Sequence, residues 1–152
     1  EDWKPIPHEG RYVFEPGHQY EWAWLMGRYQ KLTGRDLSQV RLRLIASSEE
    51  AGICPSRRVV LDEVWSDLTP KLQTARFWPQ CERIKAVLQF GFAEPADEGV
   101  RALFQFLEAP VKGLWFDTLL SSGGMKNQPA KASSFYHIIG ALSEYVQLRP
   151  GL

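Results

Sequence analysis

Apolar and polar positions follow a helical period through most of this chain. The segment before residue 15 holds Pro5, Pro7 and Gly10, shows no period, and reads as an irregular lead-in. After the Glu15-Pro16-Gly17 turn, His18 to about Leu32 reads as a helix, with Leu25, Tyr29 and Leu32 on one stripe and Gly34 as its stop. Asp36 with Gln39 predicts a capping box for a second helix. Its apolar face is Leu37, Val40 and Leu44, and Gly52 and Pro55 end it. Val59 to Trp65 fits a short strand or an extended loop. Pro79, in a first-turn position, opens a third helix carrying Ile84, Val87 and Leu88, with Gly91 beyond it. Pro95 opens a fourth, with Val100, Leu103, Phe104 and Leu107 ahead of Pro110. Leu114 to Leu119 fits a second short strand, followed by a Ser/Gly-rich turn at Ser121 to Gly124. A last helix, capped by Ser133 or Ser134, runs through Ile138, Leu142 and Tyr145 to about Val146.

Five helices with short connections and little strand predict an all-α fold, an αα-hairpin array forming a single domain over residues 1–152. Helices one, three and five carry the unusual side chains. Helices two and four carry plain charged faces such as Arg41, Arg43, Glu49 and Glu50. That alternation predicts an inner and an outer layer. Every second helix then points the same way, and the inner amino-terminal ends gather at one mouth.

Composition narrows the picture. Eighteen basic residues balance eighteen acidic ones, which leaves no electrostatic footprint for nucleic acid or an anionic membrane. No apolar run approaches the roughly 20 residues of a membrane helix, and no signal-peptide pattern opens the chain. Cys54 and Cys81 lie far apart without zinc-site company, so a reduced, cytoplasmic protein is expected. Aromatic residues reach 12%, with six tryptophans, several of them beside polar residues. The chain starts at Glu1 rather than Met, which fits processing, tag removal or a piece of a longer protein.

The candidate chemistry sits at helix starts. His18 lies in the first turn of helix one, with Glu21 three residues on along the same face, and His137 in the first turn of helix five. A helix amino terminus carries partial positive charge and disfavours an imidazolium. A neutral imidazole can accept a proton and, at an ordinary pKa of about 6.5, return it near neutral pH. Trp78 and Glu82, four residues apart, straddle the start of helix three. An aromatic face beside carboxylates suits a sugar, offering a surface for C–H groups and acceptors for hydroxyls. Taken singly, each has a plainer reading. A first-turn histidine is usually a surface or capping residue, Glu21 a solvated charge, Trp78 a packing anchor, Glu82 a surface position, and Asp117 the end of a strand. Their shared placement at the starts of alternating helices is the stronger signal.

Three ordered segments carry a family resemblance. Phe14-Glu15-Pro16-Gly17-His18-Gln19-Tyr20-Glu21-Trp22-Ala23-Trp24-Leu25 resembles the N-acylglucosamine 2-epimerase superfamily. Arg76-Phe77-Trp78-Pro79-Gln80-Cys81-Glu82 is similar to that group's Trp-Pro-Gln-x-Glu block, and Ser133-Ser134-Phe135-Tyr136-His137 to its closing histidine motif. The resemblance covers nearly the whole chain. It implies the carboxy-terminal part of an (α/α)6 barrel lacking its amino-terminal helices, with an active site at one mouth. By the same resemblance His18 and His137 are the paired acid–base residues, Glu21 supports the first, and Trp78 and Glu82 contact substrate. The superfamily also draws an arginine and further polar residues from earlier helices, which have no counterpart here.

What this implies is proton transfer at carbon 2 of an open-chain mannose- or glucose-type aldose, free or phosphorylated, through a cis-enediol intermediate. One base moving the proton from carbon 2 to carbon 1 isomerises. Two bases on opposite faces of carbon 2 epimerise. No metal-ligand set and no phosphate-cradling glycine loop is present in the sequence, so neither metal nor cofactor is expected. The expected partner is a monosaccharide or sugar phosphate, with neither nucleic acid nor membrane, and a homodimer is one way to hide the flanks of a partial barrel. Two other classes stay open at this point: a glycoside hydrolase using Glu21 and Glu82, and a non-catalytic sugar-binding or oligomerising half-barrel.

Overall fold

The computed structural model describes Lys4 and residues 6–149, so Pro5 of the lead-in lies outside the described residues. Five helices account for most of it: α1 (Pro16–Thr33), α2 (Ser38–Ala51), α3 (Phe77–Leu88), α4 (Ala93–Leu107) and α5 (Ser134–Leu148). Five short strands join them: β1 (Val13–Phe14), β2 (Glu63–Trp65), β3 (Pro70–Leu72), β4 (Ala75–Arg76) and β5 (Thr118–Leu119). Helix α3 is the hub and packs on α1, α4 and α5, while α2 packs on α1. The inner helices α1, α3 and α5 thus lie side by side, with α2 and α4 outside them, as an αα-hairpin array requires.

The position of α3 explains its burial. Every residue from Phe77 to Leu88 except Trp78 is buried, including the charged Glu82, Arg83 and Lys85. Phe77, Cys81, Ile84 and Val87 meet Tyr20 and Ala23 of α1, Leu103 and Phe106 of α4, and Ile138 and Ala141 of α5 in one core. Each fully buried Ile, Leu or Phe contributes roughly 1.5–3 kcal/mol to holding that arrangement.

Helix α1 departs from its expected apolar stripe. Leu25, Tyr29 and Leu32 are exposed, and the face turned to the core is Gly17, Tyr20, Ala23 and Gly27. Small residues let the helices approach closely. A Cβ at Gly17 would come within 2.8 Å of Pro79 and 2.9 Å of Trp78, so this glycine sets how near the α1 start lies to α3. The exposed stripe continues through Trp22. On α5, Phe135, Ile139 and Val146 are likewise exposed.

The expected outer layer is also corrected in its chemistry. Arg41 is buried, donating through Nε to the Ala23 carbonyl at 2.9 Å and through Nη2 to Gln89 Oε1 at 2.5 Å. Glu49 takes two hydrogen bonds from Arg83 and one from the Tyr20 hydroxyl. Neither lies on a plain solvated face. The expected capping box of Asp36 with Gln39 does not form: Leu37 is the cap residue, and Asp36 Oδ1 accepts from the Ser38 N–H at 2.9 Å in a local turn before the helix.

The strands tie loops around the mouth. In the first sheet β1 pairs antiparallel with β2 (Val13 opposite Trp65) and β2 with β3 across a bulge. In the second, β4 pairs with β5 (Ala75 opposite Leu119). β1 leads into α1 and β4 leads into α3, so both sheets anchor amino-terminal ends of inner helices. His8 stays in the lead-in loop, stacked on Trp65 at 5.8 Å.

Candidate active site

The Trp-Pro-Gln-x-Glu block can be decoded residue by residue. Pro79 fits the first turn of α3, where no N–H is needed. Gln80 is buried and clamps a neighbouring loop, accepting from the Val60 N–H at 2.8 Å and donating to the carbonyls of Val60 at 3.1 Å and Arg76 at 2.9 Å. Trp78 is left pointing to the mouth. Glu82, one turn further, faces α5.

Asp117 locks the third inner helix to this start. Its carbonyl accepts from the Phe77 N–H at 2.9 Å, and its carboxylate takes the Ser134 hydroxyl at 3.1 Å and Lys131 Nζ at 3.0 Å. Ser134 therefore serves Asp117 rather than capping its own helix, and Ser133 makes no side-chain cap bond either. Both starts are fixed by one buried residue, α3 through the Asp117 carbonyl and α5 through its carboxylate.

The result is an open pocket of about 290 Å³ lined by His18, Glu21, Arg76, Trp78, Ser133, Tyr136 and His137. The Trp78 ring lies between the two histidines, 5.0 Å from His18 and 5.4 Å from His137 between centroids. The histidines differ in setting. His18 is half exposed, with Nδ1 3.5 Å from Glu15 Oε2. His137 is buried, and its Nδ1 is hydrogen-bonded to Glu82 Oε1. Glu82 is fully buried behind that ring; the same Oε1 meets Lys85 Nζ at 2.7 Å, and Oε2 has no hydrogen-bond partner.

Two lining residues were not singled out from the sequence. Arg76 is held by Glu15 and by Asp62 (Nε to Oδ1, 2.8 Å), and its guanidinium carbon lies 5.3 Å from the Trp78 ring. Burial works against its charge, and the hydrogen bonds and charges of Asp62 and Glu15 outweigh that and hold it above the ordinary arginine range. Its place at the head of the Trp-Pro-Gln block was the available signal. The Tyr136 ring lies tilted against His137, 3.8 Å between centroids, and burial, followed by the charges of Glu21 and Glu82, raises its phenol above the usual tyrosine range. A tyrosine next to a first-turn histidine gives no periodic signal.

Glu21, Glu82 and His137 bring one ligand-type atom each within 4.8 Å of one another. A metal ion there would compete with the Lys85 ammonium already seated on Glu82. Beside His18 lies a second, almost wholly apolar hollow of about 400 Å³, between Phe14, Trp22, Met26, Val40 and Leu44. Its lining offers little to hydroxyl groups, and both histidines with Glu21 line the smaller pocket. Among the described residues no helix is long and apolar enough to cross a membrane.

Comparison with known proteins agrees with this arrangement. The chain is 38% identical over 154 residues to a mannose-6-phosphate isomerase of Rhizobium meliloti (strain 1021), covering 94% of this chain and 40% of that protein. Its fold matches a D-mannose isomerase with a TM-score of 0.81 at 17% identity, over 95% of this chain and 40% of the other. It also matches the cellobiose 2-epimerase of Spirochaeta thermophila DSM 6192, with a TM-score of 0.72 at 13% identity, over 90% and 39%. The chain thus spans about 40% of the length of the relatives it matches. The sequence profile of the N-acylglucosamine 2-epimerase (GlcNAc 2-epimerase) family matches residues 1–141, and the chain belongs to that family of sugar isomerases and epimerases.

Proposed function

We infer that this chain forms the carboxy-terminal part of an (α/α)6-barrel sugar isomerase or 2-epimerase, in which His18 and His137 move a proton at carbon 2 of an aldose. The observation that carries the reading is the pair of imidazoles flanking one indole ring in one pocket. A sugar stacked on Trp78 presents carbon 2 between two proton-transfer groups. Glu21 supports the His18 side or takes a hydroxyl. Glu82 fixes the orientation of His137, since a neutral ring bonded to a carboxylate through Nδ1 carries its hydrogen there and leaves Nε2 as the base. Removal of the carbon-2 proton gives the cis-enediolate. Return of a proton to carbon 1, with the carbon-2 hydroxyl proton passing to the carbon-1 oxygen, gives the ketose, and return to the other face of carbon 2 gives the epimer.

Relatives named as mannose and mannose-6-phosphate isomerases favour a mannose-type substrate, free or phosphorylated. The exposed apolar flanks of α1 and α5 support a partial barrel, because further helices on either side would cover Trp22, Leu25 and Tyr29 and, opposite, Phe135 and Ile139. A two-carboxylate hydrolase fits less well. Glu21 and Glu82 are close enough, but Glu82 is fully buried and already holds His137 and Lys85.

The test is turnover by the full-length protein of mannose and mannose 6-phosphate, with ketose and 2-epimer followed by NMR. His137→Ala is expected to lower kcat by about 10²–10⁴-fold. A loss below tenfold overturns the acid–base assignment.

A further inference from the structure

Lys85 is a buried charge that the reading above leaves unused. Its side chain is 5% exposed, yet three inner helices build its surroundings. Nζ lies 2.7 Å from Glu82 Oε1 on its own helix and 4.1 Å from the centre of the Trp24 ring on α1. Trp24 is itself fixed, donating through Nε1 to Glu144 Oε1 of α5 at 2.8 Å. On α5, Gly140 lies against the lysine stem, and a Cβ there would stand at ordinary contact distance, 3.6 Å from Lys85 Cδ.

Charge balance gives this lysine a task. Glu82 is fully buried, and a buried carboxylate requires one positive charge close by. Lys85 supplies it, so the His137–Glu82–Lys85 set is balanced while the imidazole is neutral. Without Lys85 the balancing proton must stay on the His137–Glu82 pair, and the ring then lacks a free lone pair. The other groups facing His137 do not replace it. His18 and Glu21 come from α1, and Tyr136 from α5 is neutral at ordinary pH. Arg76 is engaged by Glu15 and Asp62, and Lys131 by Asp117.

We propose that Lys85 is a positioning residue: its buried ammonium balances Glu82 so that His137 meets the sugar as a neutral base. This rests on the assignment of His137 as a base, and the experiment separates the two. In the full-length protein, the titration of the His137 ring is followed by NMR with labelled histidine, beside the pH profile of kcat/KM. Lys85→Met is expected to raise the ring midpoint by about 1–2 pH units. The acid limb of kcat/KM moves with it, KM changes less than about twofold, and Lys85→Arg holds both near the wild-type position. Should Lys85→Met fail to fold, Lys85→Gln removes the charge while keeping a polar head. A midpoint within about 0.3 unit of wild type in the folded neutral variant overturns the proposal, as does Lys85→Arg behaving like the neutral variant. Retained activity in His137→Ala would instead overturn the base assignment, while the ring titration, read without turnover, still reports on Lys85.

Discussion

Glu82 and Arg83 are neighbours in sequence, both are buried in α3, and they face opposite ways. Arg83 turns outward between α2 and α4. Its guanidinium is forked onto Glu49 (2.8 and 2.7 Å) and reaches Glu98 at 2.7 Å, while Arg58 also bonds Glu98. Burial opposes the charge of Arg83, but the hydrogen bond and charge of Glu49, with Tyr20 and Glu98, outweigh it and hold the guanidinium above the ordinary arginine range. Glu82 turns inward, where its partners are a lysine and an imidazole that lines the pocket. The outer set is a network of paired charges that fastens α2, α3 and α4. The inner set contains the one side chain whose unperturbed titration falls near neutrality. Adjacent positions of α3 therefore serve a fixed fastening on one side and a histidine of the pocket on the other.

The comparison breaks most visibly on the outer side. Arg83→Met leaves Glu49 without its cation and Glu98 with Arg58 alone, and is expected to cost about 3–5 kcal/mol in urea unfolding. The fraction that remains folded should keep the wild-type pH profile, because Arg83 does not reach the pocket. A pH profile altered in parallel with stability would show that the two faces of α3 are not independent.

On the inner side the balance of effects reverses. Glu82→Gln keeps the shape of the side chain and removes the charge that orients His137. Replacing the carboxylate behind a catalytic imidazole by its amide costs up to about 10⁴-fold, and under the role proposed for His137 a loss of at least tenfold in kcat is expected. Stability should fall by less than in Arg83→Met. A variant that unfolds readily yet turns over normally would assign Glu82 to the fastening side.

This contrast also marks what the sequence disclosed. Helix existence and the clustering of His18, Trp78 and His137 followed from periodicity and from helix starts, both of which are local. Glu82 could be placed beside Trp78, but its full burial depends on α5, 55 residues away in the chain. Arg41 and Glu49 read as surface charges because pairing across helices leaves no periodic trace. The buried face of α1 was hidden for a different reason. Ala23 and Gly27 carry little hydrophobic signal, while the louder stripe at Leu25, Tyr29 and Leu32 points away from the core. Strands of two or three residues such as β1, β3 and β4 are too short to show a period of two. Tyr136 joins the pocket through tertiary contact alone, whereas Arg76 had its place at the head of the Trp-Pro-Gln block as a signal.

The smallest effect sharpens the distinction most, because it separates the two faces by pH. Tyr20 is fully buried and donates its hydroxyl to Glu49 Oε1 at 2.7 Å. Burial first, and then the negative charge of Glu49, raise its phenol well above the usual value, with Arg83 pulling the other way. An unfolded tyrosine releases its proton near pH 10. The folded phenol keeps it, so the stability this group contributes is complete below about pH 10 and is lost as pH climbs further. Tyr20→Phe should cost about 1 kcal/mol at pH 8 through the missing hydrogen bond. At pH 10.5 the gap between variant and wild type should narrow, because phenylalanine has no proton to lose in the unfolded state. Urea unfolding at the two pH values measures this directly, and an unchanged gap would mean that the phenol is not held neutral inside the fold. Turnover near neutrality should not respond to Tyr20, since its hydroxyl serves the outer fastening and does not line the pocket.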